Sequence, residues 1–351
     1  MKLFTPGPVN LPPELLKITG NQEEYFRNLE FSAVILGMVT KFKEVLNLPE
    51  GYEIFFIAGS GTTAMECASH FIPYNEKVLS IETGLFGERF TKILGNQMRN
   101  LKRMQIDVVN HQLMPAFEQI ADSTDHVHFT LTDTSTGFLL GLSEVEIDAR
   151  TRSGLVLVDA VTALFTEVID FGRFDVLYSS SQKGIGCSPG VGFVICSPKA
   201  IEKLKSFQPR TLYLDPRIYL QEIVRGQTPF TPPINILHQM SWQINKIDSH
   251  SGYLAVVKSV RDRAVLFRSF IEQKNGQTLT RNQANCVTTF RFGSGLSASK
   301  LLKTLAENGL YIAPNSPQCF PEFVRVGHFG HQTQQDYNDL LEAITKILES
   351  L

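Results

Sequence analysis

The stretch DVLYSSSQKGIGCSPGVGFVIC, residues 175–196, decides the fold class of this chain. It opens with a largely apolar run, and a second apolar run, 191–196, follows the small-residue segment that contains Lys183. Strands that are apolar almost throughout are expected where both faces of a mainly parallel sheet are buried. Ligands of open α/β sheets bind at the carboxyl ends of strands. The stretch therefore predicts an α/β fold with a functional lysine just past the end of a strand.

The same pattern recurs on both sides of this stretch. Further strand candidates are EIFFIA, KVLSIE, HVHFTLTD and GLVLVDA, and they alternate with helical patterns. After about residue 235 the pattern changes to helices around short strands, CVTTFRF and FVRVGHF. We predict an N-terminal arm at 1–15, a large α/β domain at 16–245 and a smaller C-terminal α+β domain at 246–351.

Composition excludes several classes of protein. The chain has 351 residues, of which 43% are hydrophobic and 19% charged, with a net charge of −2, so there is no electrostatic case for nucleic acid. Five scattered cysteines favour reduced thiols and a cytoplasmic location. The first residues lack the apolar segment of a signal peptide, and no run has the length of a membrane span. The eight histidines show no metal-ligand spacing, so no metal site is expected.

A second stretch, EIFFIAGSGTTAME at 53–66, reads as a strand, a small-residue turn and a helix. Its glycines fit the dinucleotide fingerprint, and Glu82 lies about where the ribose-binding acid would stand. A helix start attracts any phosphate, because its free backbone N–H groups and its dipole favour anions. The turn alone leaves both an NAD-dependent oxidoreductase and a single-phosphate site open.

A third stretch, GLVLVDAVTAL at 154–164, places Asp159 at the end of another strand. A lysine among glycines with an aspartate from a nearby strand end suits pyridoxal 5'-phosphate (PLP). Lys183 would form a Schiff base with the cofactor, and Asp159 would keep its ring nitrogen protonated. The plainer interpretations are a surface lysine and a helix-capping aspartate. The cofactor interpretation is favoured because it joins three strand ends.

The chain resembles the class V aminotransferases, a branch of the fold-type I PLP enzymes, and is most similar in pattern to alanine/serine–glyoxylate aminotransferases. The resemblance rests on nine motifs in sequence order: TPGPVN, FRNLEF, AGSGTTAME, ETGLFGERF, DTSTG, VLVDAV, SSSQKGIGCSPG, FTPPIN and VRVGHFG. It implies a large domain with a mainly parallel seven-stranded sheet between helices. It also implies a homodimer with shared active sites.

The resemblance also implies roles for individual residues. Lys183 and Asp159 would be catalytic, and Arg325 would bind the substrate carboxylate, with Gly7 and Arg27 as further substrate-binding residues. Phe86 would stack on the cofactor ring, and Thr231 would reach the phosphate of the neighbouring subunit. The implied cofactor-binding residues are Ser60, Gly61, Thr62, Phe86, Thr134, Asp159, Val161, Gln182, Lys183 and Thr231.

The predicted function is transfer of an amino group from a small amino acid, of the alanine or serine type, to glyoxylate or pyruvate. Phosphoserine and 2-aminoethylphosphonate are alternative donors. Phe26 stands where phosphoserine enzymes carry a phosphate-binding histidine, which weakens that alternative, and Thr228 replaces a common tyrosine. A PLP lyase or cysteine desulfurase is a further alternative, for which Cys319 is the nearest nucleophile by position.

Overall fold

The computed structural model describes residues 1–110, 124–141, 150, 152–293 and 295–350. Its helices are α1 (Pro13–Thr19), α2 (Leu29–Val45), α3 (Gly61–Ser69), α4 (Leu85–Asn96), α5 (Pro198–Lys203), α6 (Pro216–Ile223), α7 (Ile234–Asn245), α8 (Gly252–Gln273), α9 (Ala298–Glu307) and α10 (Gln334–Glu349). Short 3₁₀ turns lie at Phe171–Arg173 and Leu204–Ser206. Its strands are β1 (Lys2–Leu3), β2 (Glu53–Gly59), β3 (Lys77–Glu82), β4 (Asn100–Gln105), β5 (His126–Thr130), β6 (Thr132–Asp133), β7 (Phe138–Leu139), β8 (Val156–Asp159), β9 (Val176–Ser180), β10 (Gly190–Cys196), β11 (Gln277–Thr278), β12 (Val287–Arg291), β13 (Leu310–Tyr311), β14 (Ala313–Pro314) and β15 (Val324–Gly327).

The central feature is a seven-stranded sheet in the order β2-β10-β9-β8-β5-β3-β4. Neighbours from β9 to β4 pair in parallel, whereas β10 runs antiparallel to both β2 and β9. The predicted α/β fold with a mainly parallel seven-stranded sheet is confirmed. All residues of β5, β8 and β9 are buried, as expected for strands that are covered on both faces of the sheet.

The edge strand β4 was not predicted from the sequence. Strand β4 has the sequence NLKRMQ and is mostly exposed, because it has a neighbour on one side only. Charged residues are a common protection of sheet edges. A strand of this kind has no apolar run, so the hydrophobic pattern cannot identify it.

Two short helices were also missed, although their start signals stand in the sequence. Helix α5 begins with a proline after Ser197, whose side chain accepts a hydrogen bond from Ala200 N. Helix α6 begins with a proline after Asp215, which accepts one from Arg217 N. Both are the expected combination of a capping side chain and proline at the first helical position.

The C-terminal part has its own sheet, β11-β12-β15-β14, and its own core between this sheet and helices α8, α9 and α10. The first residues of the chain belong to this part, because β1 pairs in parallel with β13 and Phe4 lies in the same core. The division at 16 and 246 into arm, large and small domains stays a proposal. Within the described parts of the chain, no helix combines the length and apolar character needed to cross a membrane.

Candidate active site

Three strand ends meet at the candidate site. Lys183 follows β9, Asp159 is the last residue of β8, and the turn at Ser60 joins β2 to α3. A Cβ atom placed on Gly61 would lie 2.9 Å from Val161 Cγ2 and 3.4 Å from Ser180 Oγ. The start of α3 therefore lies directly against the segments that carry Asp159 and Lys183. The sheet topology produces this meeting, since β2, β9 and β8 run in the same direction.

Lys183 is covered by the N-terminal arm. Its Nζ atom donates a hydrogen bond to Pro6 O at 2.5 Å, and a Cβ atom on Gly7 would lie 2.8 Å from the same nitrogen. Burial lowers the pKa of Lys183 to about 8, an effect that nearby Arg325 increases. A lowered pKa leaves a substantial fraction of the amine neutral near pH 7–8, which is the form that attacks carbonyl carbon.

Asp159 is 3% exposed, and its Oδ1 atom accepts a hydrogen bond from Val161 N at 2.9 Å. Burial raises the pKa of Asp159 to about 7, with a further rise from the nearby charge of Asp133. The hydrogen bond from Val161 and the charge of Lys183 act in the opposite direction. A buried carboxylate with so few donors is well suited to a cationic N–H partner.

The turn at the start of α3 forms a cradle for an anion. Ser60 accepts a hydrogen bond from Thr62 N, and Thr63 Oγ1 accepts one from Ser60 N. Gly59 has φ +143°, and a Cβ atom there would lie 2.2 Å from Thr63 Oγ1, so this turn requires glycine. The result is a capped helix start whose positive dipole end lies at the strand ends, where it favours an anion.

Ser180 Oγ, which lies against the start of α3, tests whether a phosphate fits. This hydroxyl is buried and has no hydrogen-bond partner among the described residues. Buried polar atoms in native proteins are nearly always paired, so such an orphan calls for a missing ligand. A phosphate held at the start of α3 would supply acceptors for the Ser180 hydroxyl. The residues present therefore fit a PLP phosphate.

Arg325, on β15, contacts two separate segments of the chain through its guanidinium. Its Nε and Nη2 atoms donate to Pro314 O at 3.2 and 2.7 Å, and its Nη1 donates to Thr134 O at 3.0 Å. These bonds use three of the five guanidinium N–H groups and leave one on each terminal nitrogen. Two N–H groups on neighbouring nitrogens are what a bidentate carboxylate needs. No carboxylate among the described residues forms an ion pair with Arg325, so Arg325 does not serve as the cation of an ion pair at the strand edge.

Comparison with known proteins decides the family. The pattern of the aminotransferase class-V family matches residues 14–335. The chain belongs to the class V aminotransferases. It is 26% identical to an uncharacterized aminotransferase of Methanocaldococcus jannaschii, over 99% of this chain and 93% of the relative. It is 24% identical to a 2-aminoethylphosphonate–pyruvate transaminase of Syntrophobacter fumaroxidans, over 97% of this chain and 94% of the relative. The crystal structure of a subgroup IV aspartate aminotransferase from Thermus thermophilus superimposes with a TM-score of 0.90 at 26% identity, covering 100% of this chain and 99% of that one.

As a class V aminotransferase the chain is an enzyme, and the family implies PLP as its cofactor. The dinucleotide alternative is wrong. Glu82, its candidate ribose ligand, is bound by Arg103 through two hydrogen bonds of 3.0 and 2.9 Å. In a dinucleotide fold the strands on either side of the first helix are neighbours, whereas here β2 and β3 lie near opposite edges of the sheet.

Phe86 lies in the first turn of α4, where Asp133 accepts hydrogen bonds from Phe86 N and Gly87 N. The guanidinium of Arg89 lies over the Phe86 ring, 4.9 Å from its centroid. Asp133 therefore holds the start of α4 in place. Stacking of Phe86 on a cofactor ring stays a prediction of the resemblance, as do the roles of Thr134 and Val161.

Three residues with predicted roles, Arg27, Thr228 and Thr231, lie in or against the segment 227–231. The Arg27 guanidinium donates to Gln227 Oε1, Thr228 O and Pro229 O, so it holds the segment 227–229 in place. Thr228 is buried and donates to Phe230 O, whereas Thr231 is exposed on the protomer. Substrate binding by Arg27 and a contact of Thr231 across a dimer remain predictions.

Cys319 is half-buried, and its thiol interacts with Ser135 and Arg325. Burial raises the pKa of Cys319, so the thiol is protonated near neutral pH. Because the thiolate is the nucleophile, this environment does not favour a desulfurase. Among the residues that the structure describes, no cluster of His, Cys, Asp and Glu would hold a metal ion.

Sequence reasoning missed two residues at the cradle. Arg89 donates to Thr62 Oγ1 at 3.0 Å, and no carboxylate in the described chain forms an ion pair with it. Ser180 carries the orphan hydroxyl described above. Arg89 lies in the motif ETGLFGERF and Ser180 in the motif SSSQK. Residue type alone does not show that a side chain has no partner.

Proposed function

We propose that this enzyme transfers an amino group from a small amino acid, of the alanine or serine type, to a 2-oxo acid of the glyoxylate or pyruvate type. The observation that carries the proposal is the set of groups around Lys183. A lysine of lowered pKa, a buried aspartate and an anion cradle lie at the ends of three strands of one sheet. The guanidinium of Arg325 lies beside them. Each group matches one demand of PLP-dependent amino transfer.

PLP, when bound, supplies an aldehyde that accepts the amino group and a ring that withdraws electrons from the substrate carbon. Ser60, Gly61, Thr62, Gln182 and Ser180 would hold its phosphate. Asp159 would keep a proton on the ring nitrogen, because a buried carboxylate favours a cationic partner. Lys183 Nζ would take the proton from the substrate α-carbon and return it on the other side of the reaction. Arg325 would orient the substrate through its carboxylate.

The arm over Lys183 supports a small substrate. Pro6 O and Gly7 lie within contact distance of Lys183 Nζ, so little free space surrounds the amine. A glycine at position 7 is required here, because its φ is +97° and a Cβ atom would collide with the lysine side chain. A substrate with a small side chain fits beside this arm more easily than a long one.

The phosphorylated donors are supported less well. Phosphoserine carries a phosphate beside its carboxylate, and this second anion needs a cation in addition to Arg325. 2-Aminoethylphosphonate carries a phosphonate in place of the carboxylate, which fits the planar Arg325 fork less directly. Arg27 is engaged by three acceptors of the segment 227–229, and Phe26 offers no donor. The name of the Syntrophobacter relative keeps the phosphonate donor as the alternative to test.

We further propose a cytoplasmic homodimer in which Thr231 contributes to the neighbouring site. Thr231 is exposed on one protomer, and Arg27 braces the preceding segment, which is the arrangement expected of a loop that contacts a partner. The five cysteines are free thiols, as expected in a reducing compartment. Analytical ultracentrifugation would test whether the protein is a dimer. Activity recovered on mixing Lys183→Ala protomers with Thr231→Ala protomers would support shared sites.

A donor–acceptor panel on the purified enzyme tests the reaction. The donors are alanine, serine, aspartate, phosphoserine and 2-aminoethylphosphonate, each offered with glyoxylate, pyruvate and 2-oxoglutarate. Alanine or serine with glyoxylate or pyruvate should give the highest kcat/KM. A higher kcat/KM for a phosphorylated or dicarboxylic donor would overturn the substrate proposal, and no turnover with any pair would overturn transamination itself.

A further inference from the structure

Behind Asp159 lies a chain of buried polar side chains on one face of the central sheet. Thr91 Oγ1 lies 3.0 Å from Ser80 Oγ, Ser80 Oγ lies 3.4 Å from His128 Nδ1, and His128 Nε2 lies 2.8 Å from the Tyr178 hydroxyl. Tyr178 is the register partner of Asp159 between β9 and β8, and its hydroxyl interacts with the Asp159 carboxylate. None of the five side chains is more than 4% exposed.

The register of the sheet explains why these residues meet. Ser80 is paired with His128 between β3 and β5, and Asp159 with Tyr178 between β8 and β9. Paired residues of adjacent parallel strands project to the same face. The chain therefore crosses the sheet from α4 to the end of β8.

The aromatic rings of this chain are held rigidly. The His128 ring stacks on Phe90, with ring centroids 3.5 Å apart. The angle between the planes of the His128 and Tyr178 rings is 4°. Neither ring can turn without losing this contact. The hydrogen-bonding edges of His128 are therefore fixed toward Ser80 on one side and Tyr178 on the other.

The charge of Asp159 determines the direction of the hydrogen bonds. An ionised carboxylate only accepts, so beside Asp159 the Tyr178 hydroxyl directs its single proton toward the carboxylate. The tyrosine oxygen then accepts from His128 Nε2–H, His128 Nδ1 accepts from Ser80, and Ser80 accepts from Thr91. His128 is neutral in this arrangement, since burial lowers its pKa well below the usual range. The opposite direction would turn the lone pairs of Tyr178 toward the carboxylate.

We propose that Tyr178 and His128 are positioning residues that act through Asp159, holding its carboxylate ionised and aimed at the ring nitrogen of the bound cofactor. The inference rests on the proposed function. Without Tyr178, the Asp159 carboxylate accepts one hydrogen bond, from Val161 N, although Asp159 is only 3% exposed. A second donor from Tyr178 stabilises the ionised form, which is the form that can pair with a protonated ring nitrogen.

Tyr178→Phe is the first test, because it removes the hydroxyl and keeps the ring. Tyr253→Phe is the matched control, since Tyr253 is also buried and its hydroxyl donates to Glu167 O, which the proposed mechanism does not use. We expect Tyr178→Phe to lower kcat about tenfold with little change in the donor KM, and to weaken PLP binding to the apoprotein several-fold. Tyr253→Phe should change neither by more than about twofold.

The second test reads the direction of the chain without activity. In ¹⁵N-histidine-labelled protein loaded with PLP, the His128 signal, assigned with His128→Gln, should report a neutral ring protonated on Nε2. His128→Gln should retain more kcat than His128→Leu, because an amide N–H can still donate to Tyr178.

A His128 ring protonated on Nδ1, or kcat and PLP affinity in Tyr178→Phe equal to those of Tyr253→Phe, would overturn the inference. These results are separable from failure of the proposed function, which would show in the wild-type protein as no binding of PLP to Lys183. If the His128 variants do not fold, the comparison of Tyr178→Phe with Tyr253→Phe still decides.

Discussion

The proposed cofactor side and the proposed substrate side of the site are built in different ways. Lys183, Asp159 and Ser60 all stand at ends of strands in one sheet, so the sheet alone places them. The substrate side joins Arg325 of β15 to Thr134 O and Pro314 O, while Gly7 of the N-terminal arm covers Lys183. A sheet is rigid and common to the fold, whereas contacts between separate segments change with loop sequence. We therefore expect variants on the cofactor side to affect every substrate and those on the substrate side to discriminate between them.

Lys183→Ala should produce the largest effect and should be independent of the substrate. The variant loses the group that binds the cofactor covalently and transfers the proton, so kcat should fall by at least about 10³-fold with every donor. Borohydride reduction followed by mass spectrometry should show PLP attached to Lys183 in the wild type and no attachment in the variant. Lys258→Ala, on the exposed face of α8, is the control. Normal transamination by Lys183→Ala would disprove the central assignment.

Arg325→Lys should separate the two sides. The lysine keeps the charge but loses the planar fork, so the loss of charge-assisted hydrogen bonds should lower kcat/KM roughly tenfold to a few hundredfold for carboxylate substrates. The absorbance spectrum of the bound cofactor should stay unchanged. Steady-state kinetics with each donor and acceptor provides the measurement, and Arg291→Lys on the neighbouring strand is the control. Less than about a threefold effect on all substrates would assign the carboxylate to another residue.

The lowered pKa of Lys183 predicts a pH dependence on the cofactor side. The neutral amine is the reactive form, and burial lowers the pKa of Lys183 to about 8, so the amine is mostly protonated below this pH and mostly neutral above it. The rate at which the apoprotein captures PLP should rise about tenfold between pH 7 and pH 9 and then level off. Stopped-flow absorbance measures the rate, with N-α-acetyl-lysine as the control for ionisation of PLP itself. A rate that keeps rising tenfold per pH unit above pH 9 would indicate an ordinary lysine.

Arg89→Gln should give the smallest effect, confined to the cofactor phosphate. Arg89 donates to Thr62 at the cradle but is exposed, so its removal should weaken PLP binding about three- to tenfold, and less at high salt. Binding of pyridoxal, which has no phosphate, should not change. Equilibrium titration of the apoprotein with both compounds makes the comparison, and Lys92→Gln on the same helix is the control. An equal loss for pyridoxal would place Arg89 outside the phosphate cradle.

Much of the fold could be predicted from the sequence, because its signals are local. Strands β8 and β9 begin with apolar runs, VLV and VLY, and helix α8 shows its amphipathic pattern within the segment itself. Strand β4 and helices α5 and α6 were missed, since an exposed edge strand and two short capped helices carry weak patterns. The resemblance added the residue roles, and the positions of Lys183 and Asp159 at strand ends agree with them.

The sequence by itself determined most of the strands and helices, the family, and the lysine and aspartate of the candidate site, since each depends on residues that are close together in the chain. Only the tertiary structure decided which polar side chains have partners. It paired Glu82 with Arg103, engaged Arg27 with 227–229, and left Ser180 without a hydrogen bond. It also placed Tyr178 and His128 behind Asp159. The physical reason is that a hydrogen bond depends on distances of about 3 Å between atoms of separate strands, and the order and register of those strands are set by the packing of the whole sheet.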